Sequence, residues 1–86
     1  MPKISVFYGI IIMMFYEDHN PPHFHVKYGE FEAIINILDF ALIQGNIPPK
    51  AIALVMEWAA LHKEELLEDW NLAIQGKPLK QIAPLV

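Results

Sequence analysis

The rhythm of apolar positions divides the chain into two halves. From Ile4 to Glu17 nearly every residue is apolar, with Ile10, Ile12, Met14 and Tyr16 on one alternating face and Ile11, Met13 and Phe15 on the other. A run that is apolar on both faces predicts an interior strand covered twice. Beyond it, alternation becomes strict. Two strands register against each other if Gly29-Glu30 forms a two-residue hairpin loop, with glycine supplying the positive φ of a type II′ turn. Tyr28 then faces Phe31, Val26 faces Ala33 and Phe24 faces Ile35, while on the other side Lys27 meets Glu32, His25 meets Ile34 and His23 meets Asn36. Every apolar residue but Ile34 falls on one side, which supports this register, and Lys27 opposite Glu32 is a favourable cross-strand pair. A fourth short strand is predicted at Ala41 to Gln44, after a turn at Asp39-Phe40.

From Pro49 to Gln75 the period changes to three and four, through Ile52, Val55, Ala59, His62, Leu66, Trp70 and Ala73. Pro48-Pro49 starts a helix where no amide donor is needed, and Gly76 ends it as a left-handed cap. Unbroken, this helix would be about 40 Å long, longer than so small a domain is wide. A bend, or two helices meeting near His62-Lys63-Glu64, is therefore expected, although no glycine or proline marks the break. Leu79 to Leu85 offers a short edge segment. The fold class is α+β: a small antiparallel sheet of three to four strands packed against one long bent helix or two helices.

Length and composition narrow the function. The chain has 86 residues, enough for one core, so residues 1–86 are read as a single domain, with the sheet at 3–45, the helical part at 48–75 and a tail at 77–86. A large enclosing cleft is not expected. Net charge is −4, with six lysines and no arginine, which argues against nucleic acid as a direct partner. Cysteine and threonine are absent and Ser5 is the only serine, so thiolate metal sites and hydroxyl or thiol nucleophiles are effectively excluded. Chemistry must rest on His, Asp, Glu, Lys or Tyr. The apolar run Val6 to Tyr16 is too short for a membrane-spanning helix, which takes about 20 residues, and it lacks a small-x-small cleavage site. A cytoplasmic protein is expected.

The stretch DHNPPHFH, Asp18 to His25, is where that chemistry gathers, with three of the four histidines. In a strand, His23 and His25 share a face about 6.7 Å apart, while Phe24 and Val26 turn to the core. Pro21-Pro22 stiffens the lead-in that carries His19 and Asp18. Three readings stand side by side. In the first, His23 and His25 are polar residues of a half-exposed strand face and His19 belongs to the turn. In the second, His19, His23, His25 and Asp18, with Glu17 nearby, ligate a zinc-like divalent cation. In the third, His23 and His25 act as an acid–base pair with Lys27 as the stabilising cation, as in a metal-free ribonuclease. Elsewhere, His62 on the apolar helical stripe is read as a boundary histidine bonded to a neighbour, and the run KEELLED, Lys63 to Asp69, as a solvated helix face. Trp58 and Trp70 are core anchors or a contact surface.

FYGIIIMMFYEDHNPPHFHVKYGEFEA, followed by IQGNIPPKAIALVMEWAALHKEELLEDW, resembles the bacterial domain-of-unknown-function 4160 family over almost the whole chain. Asp18 to His25 is the most specific part, and Gly45 before the proline-started helix and the spacing Leu66 to Trp70 agree. The resemblance carries no proven catalytic residue. It implies a small protein often encoded beside another small protein, an arrangement that suggests a toxin–antitoxin-like pair, and it adds weight to the motif histidines. Members often have a polar or charged residue where this chain has Ile11 or Met13, and that departure leaves an apolar strip. Ile11, Met13 and Trp58 are therefore the candidate contacts for self-association or for a protein partner, the product of a neighbouring gene. The sequence favours a protein-binding component of a two-protein system with a His-rich surface site, since the absence of arginine and the negative charge suit a neutralising partner better than direct attack on RNA; the alternative is a metal- or histidine-dependent hydrolase, ribonuclease-like in one version, using His19, His23 and His25.

Overall fold

The computed structural model describes residues 2–86. Five strands, β1 (Lys3–Phe7), β2 (Ile10–Met13), β3 (His23–Tyr28), β4 (Phe31–Asn36) and β5 (Leu42–Gly45), precede two helices, α1 (Pro49–Leu61) and α2 (Lys63–Ile74). The strands form one antiparallel sheet in sequence order. This is the expected α+β class with one strand more than predicted.

The additional strand comes from the N-terminal apolar run, which is not one strand but a hairpin. Tyr8 and Gly9 both take positive φ, 49° and 78°, and reverse the chain in two residues so that Phe7 pairs with Ile10 and Val6 with Ile11. Positive φ at both central positions matches the twist of the flanking strands. At the next hairpin Gly29 has φ 59° and the six β3–β4 pairs are those the alternation predicts, from His23 opposite Asn36 to Tyr28 opposite Phe31. β5 lies one residue beyond its predicted range, and a register irregularity between Ile34 and Ile35 accompanies it.

One face of the sheet meets the helices. Ile4, Phe7, Ile10, Ile12, Phe24, Val26, Ala33 and Ile35 pack against Ala51, Val55, Trp58, Ala59, Leu66, Trp70 and Ala73. Each fully buried isoleucine, valine, leucine or phenylalanine among them is worth about 1.5–3 kcal/mol relative to exposure. The helical half is two helices. Their joint is His62, whose φ and ψ of −122° and 24° leave the helical region, and whose N–H is shared between the carbonyls of Trp58 and Ala59. Lys63 Nζ reaches back 2.8 Å to the carbonyl of Leu38 and fastens the joint to the β4–β5 connection. His62 Nδ1 bonds Glu65 at 2.6 Å beside the Trp58 ring, the boundary role expected of it.

The tail is fixed along β1. Ile82 N–H donates to Ile4 O, the Gln81 amide to Lys3 O, and Trp58 Nε1 to Ala83 O. Asp69 also holds it, accepting the Lys80 N–H at 2.8 Å. That corrects one expectation: Asp69 is buried, not part of a solvated face, because the tail covers it. Burial holds its carboxyl above the ordinary value of 3.8, and the neighbouring charges of Glu68 and Glu65 push the same way. No helix among the described residues is long and apolar enough to cross a membrane.

Candidate metal centre and the adjoining groove

The connection from β2 to β3 carries Asp18 back over the first residues of β3. β2 ends at Met13, opposite His25, so His23 has no β2 neighbour and the loop closes over it instead. The Asn20–Pro21 peptide is cis. His23 packs against Trp70 of α2, with ring centroids 5.1 Å apart, and is buried; His25 meets Phe15 edge-on at 4.5 Å. The two imidazoles lie 5.3 Å apart and tilt toward one point.

That point is one carboxylate oxygen. Asp18 Oδ2 stands 3.0 Å from His23 Nε2 and 2.8 Å from His25 Nε2. His23 Nδ1 lies 2.7 Å from the carbonyl of Pro21. Solvent still reaches the cluster, because the Asp18 and His25 side chains keep 24% and 21% exposure against 11% for His23. Asp18, His23 and His25 each offer a ligand atom, all within 4.8 Å of one another. Around a tetrahedral cation with bonds of ~2.0–2.2 Å the ligand atoms stand about 3.4 Å apart, so Asp18 Oδ2, now 3.0 Å and 2.8 Å from the two nitrogens, would draw back by a few tenths of an ångström to admit one.

The other residues singled out in the sequence fall elsewhere. His19 and Glu17 are exposed in the loop and lie outside the ligand group. The turn that folds Asp18 inward leaves its two neighbours facing solvent. Lys27 sits on the sheet face away from the helices, opposite Ile11 and Glu32, and forms no hydrogen bond or ion pair with His23 or His25 among the described residues. Ile11, half-buried, shares that face. Trp58 is corrected from a candidate partner contact to a core residue: it has no exposed surface, lying between Phe7 at 5.4 Å and Phe24 at 6.1 Å. Met13, at 4% exposure, offers a partner little surface of its own.

Met13, His25, Ile34 and Gln44 form one row across four strands on the open face. Together with Phe15, Glu32 and Gly45 they line a groove of about 270 Å³. His25 therefore belongs to both the ligand cluster and the groove wall. The sequence did not single out Phe15 or Trp70 as the supports of the two imidazoles; the spacing of Leu66 and Trp70 placed the indole on the buried helical stripe, but not over His23.

Comparison with the curated proteins and with the solved structures gives no significant match. A family model does match, from residue 9 to residue 71, spanning Gly9 of the first turn, the Asp18–His25 motif, all of α1 and α2 as far as Asn71. That span covers most of the chain and every residue of the cluster, and the chain belongs to the family described as a domain of unknown function, DUF4160.

Proposed function

We propose that this protein is a metal-dependent hydrolase that holds a zinc-like divalent cation between Asp18 Oδ2, His23 Nε2 and His25 Nε2. One observation carries the reading: the hydrogen bond between His23 Nδ1 and the Pro21 carbonyl. A carbonyl can only accept, so Nδ1 holds the proton, and in the neutral ring Nε2 is a bare lone pair. That lone pair faces Asp18 Oδ2, itself an acceptor, at 3.0 Å. Two acceptors at this distance repel unless a positive charge lies between them. A backbone bond to the far nitrogen is also the usual means of orienting a ligating histidine. A cation with three protein ligands keeps a position for water, which it activates toward hydrolysis near neutral pH.

A second proton on His23 would satisfy the same geometry, which is the acid–base reading. The two separate in a titration. Calorimetric zinc binding to untagged protein, with metal content measured on the purified chain, is expected to show one equivalent that the His23→Ala/His25→Ala double variant loses. Equal, weak binding by both proteins would end the metal proposal. Hydrolysis of ester and peptide model substrates is expected to disappear with chelator and in Asp18→Asn. A phosphodiester substrate is disfavoured: no lysine lines the groove, and the chain has no arginine and a net charge of −4.

The exposure of β5 favours a second reading, a protein-binding component of a two-protein, toxin–antitoxin-like system. Leu42 and Ile43 keep 51% and 46% of their surface on a strand at the edge of the sheet. Co-expression with the product of the neighbouring gene is the trial, and failure to co-elute at micromolar concentration would count against it.

A further inference from the structure

The two edges of the sheet are treated differently. β1 is covered by the chain's own tail, with Ile82 N–H bonded to Ile4 O at 2.8 Å and the Gln81 amide on Lys3 O at 2.6 Å. Among the described residues nothing pairs with the outer side of β5, every residue of which is exposed. Sheet edges are ordinarily blunted by charge, proline or a covering segment. From Ala41 to Asn46 the sequence ALIQGN contains no charged residue and no proline. At four residues β5 is too short an edge to pair with another sheet but long enough to match a short extended segment.

The groove next to it specifies what that segment carries. Its lining is mostly apolar, Met13, Phe15, Val26 and Ile34, and its one carboxylate near the edge is Glu32. Glu32 is exposed and, with Lys27 opposite it on β3 but not within ion-pair distance, keeps its carboxylate open to a further cation on the β5 side. Its backbone carbonyl accepts the Asn46 N–H, so it lies where β5 gives out. A strand added beyond β5 would run about 9.5 Å from β4, two strand spacings, a gap that a glutamate and a long basic side chain together span.

We propose that β5 is the docking edge for an extended, basic and apolar segment of a partner protein, which adds as a sixth strand and sets a lysine or arginine against Glu32. Backbone hydrogen bonds supply the affinity and the alternate side chains the choice of partner. A second copy of this chain is the poorer occupant, since a two-fold edge pairing brings two chains of net charge −4 together with no basic residue on β5 to offset them. The surface operates without the metal proposed above, and its test is run in chelator so that the two ideas fail separately.

Two blocked octapeptides are used as probes, one alternating valine and lysine, the other valine and glutamate. Each is titrated into isotopically labelled protein and followed by amide NMR shifts and hydrogen exchange. The basic peptide is expected to slow exchange at Leu42 to Gly45 and to shift Glu32. Glu32→Lys should weaken it at least about tenfold, as expected for loss of a charge-assisted contact, and should favour the acidic peptide. Ile43→Lys, at an exposed position that leaves the core intact, should weaken the basic peptide as well. Perturbations away from β5, equal binding of both peptides, or none by either at millimolar concentration would overturn the proposal. So would sedimentation showing a dimer that Ile43→Lys dissolves, because the edge would then belong to a second copy.

Discussion

Gly45 closes the sheet at the strand nearest the groove, and its replacement by alanine separates two costs that usually come together. Gly45 has φ 87° and Gly76 has φ 69°, so an alanine at either must adopt a left-handed backbone, at about 1–2 kcal/mol. Around Gly76 nothing lies within 4 Å of the added carbon. At Gly45 that carbon would sit 2.1 Å from Glu32 O and 2.8 Å from Ala33 Cα, both backbone atoms that cannot swing aside. β5 must then move off β4. The Asn46 N–H bond to Glu32 O, 2.9 Å long, is lost with it, worth about 0.5–1.5 kcal/mol, and the steric relief costs about 1–3 kcal/mol more. Gly45→Ala is therefore expected to lose about 2.5–6.5 kcal/mol, and Gly76→Ala only about 1–2 kcal/mol. Urea unfolding followed by the fluorescence of buried Trp58 and Trp70 reads the difference. With a slope of about 1–2 kcal/mol/M for a chain this small, the midpoints should differ by about 1 M or more. Equal midpoints would refute the close approach of β5 to β4 and with it the groove's outer wall.

Three further outcomes are expected. Tyr8→Asn should stabilise the first hairpin by about 0.5–1 kcal/mol in thermal unfolding, since asparagine tolerates the positive φ that tyrosine holds there under strain. Asp69→Asn should be more stable than the parent near neutral pH, because burial disfavours the ionised carboxylate while the acceptor for the Lys80 N–H is kept. With the folded value raised, the parent's stability from this group is complete below the unfolded 3.8 and is lost as pH rises through the folded value, so the variant's advantage must shrink as pH falls toward 3.8 in paired denaturant melts. His23→Ala should cost about 2–3 kcal/mol, since it strips packing from Trp70 and leaves Pro21 O without its donor, whereas His25→Ala, half-exposed, should cost under about 1 kcal/mol; equal losses in urea melts would contradict their placement.

How much of this the sequence discloses depends on where neighbours constrain it. The β3–β4 register is legible because alternation and a hairpin glycine agree, and a slip of one residue would turn Phe24, Val26 and Ile35 to the open face. The β1–β2 hairpin is not, because Tyr8-Gly9 interrupts a run that is apolar on both sides, and such a run fits one strand as well as two. The helix break near His62 follows from length alone. Asp69 defeats any pattern argument: a helical acid next to Glu68 reads as solvated, and only the tail, eleven residues on at Lys80, puts it indoors. In the site, spacing could pair His23 with His25, but the choice of Asp18 over His19 as third member is made by the loop's path across β3, which no local periodicity encodes.

That choice also divides labour within the pair. His23 is locked on three sides, by Trp70, by the Pro21 carbonyl and by Asp18, and a ring so held cannot reorient to follow a reacting group. His25 is held by Asp18 and Phe15 only, and it stands in the row with Met13, Ile34 and Gln44 that floors the groove. A ligand lying in the groove thus meets the cluster through His25 first, with His23 behind it as the rigid anchor. If the cluster holds the cation proposed above, the buried histidine supplies the preorganisation and the more exposed one supplies the access, with no enclosing cleft.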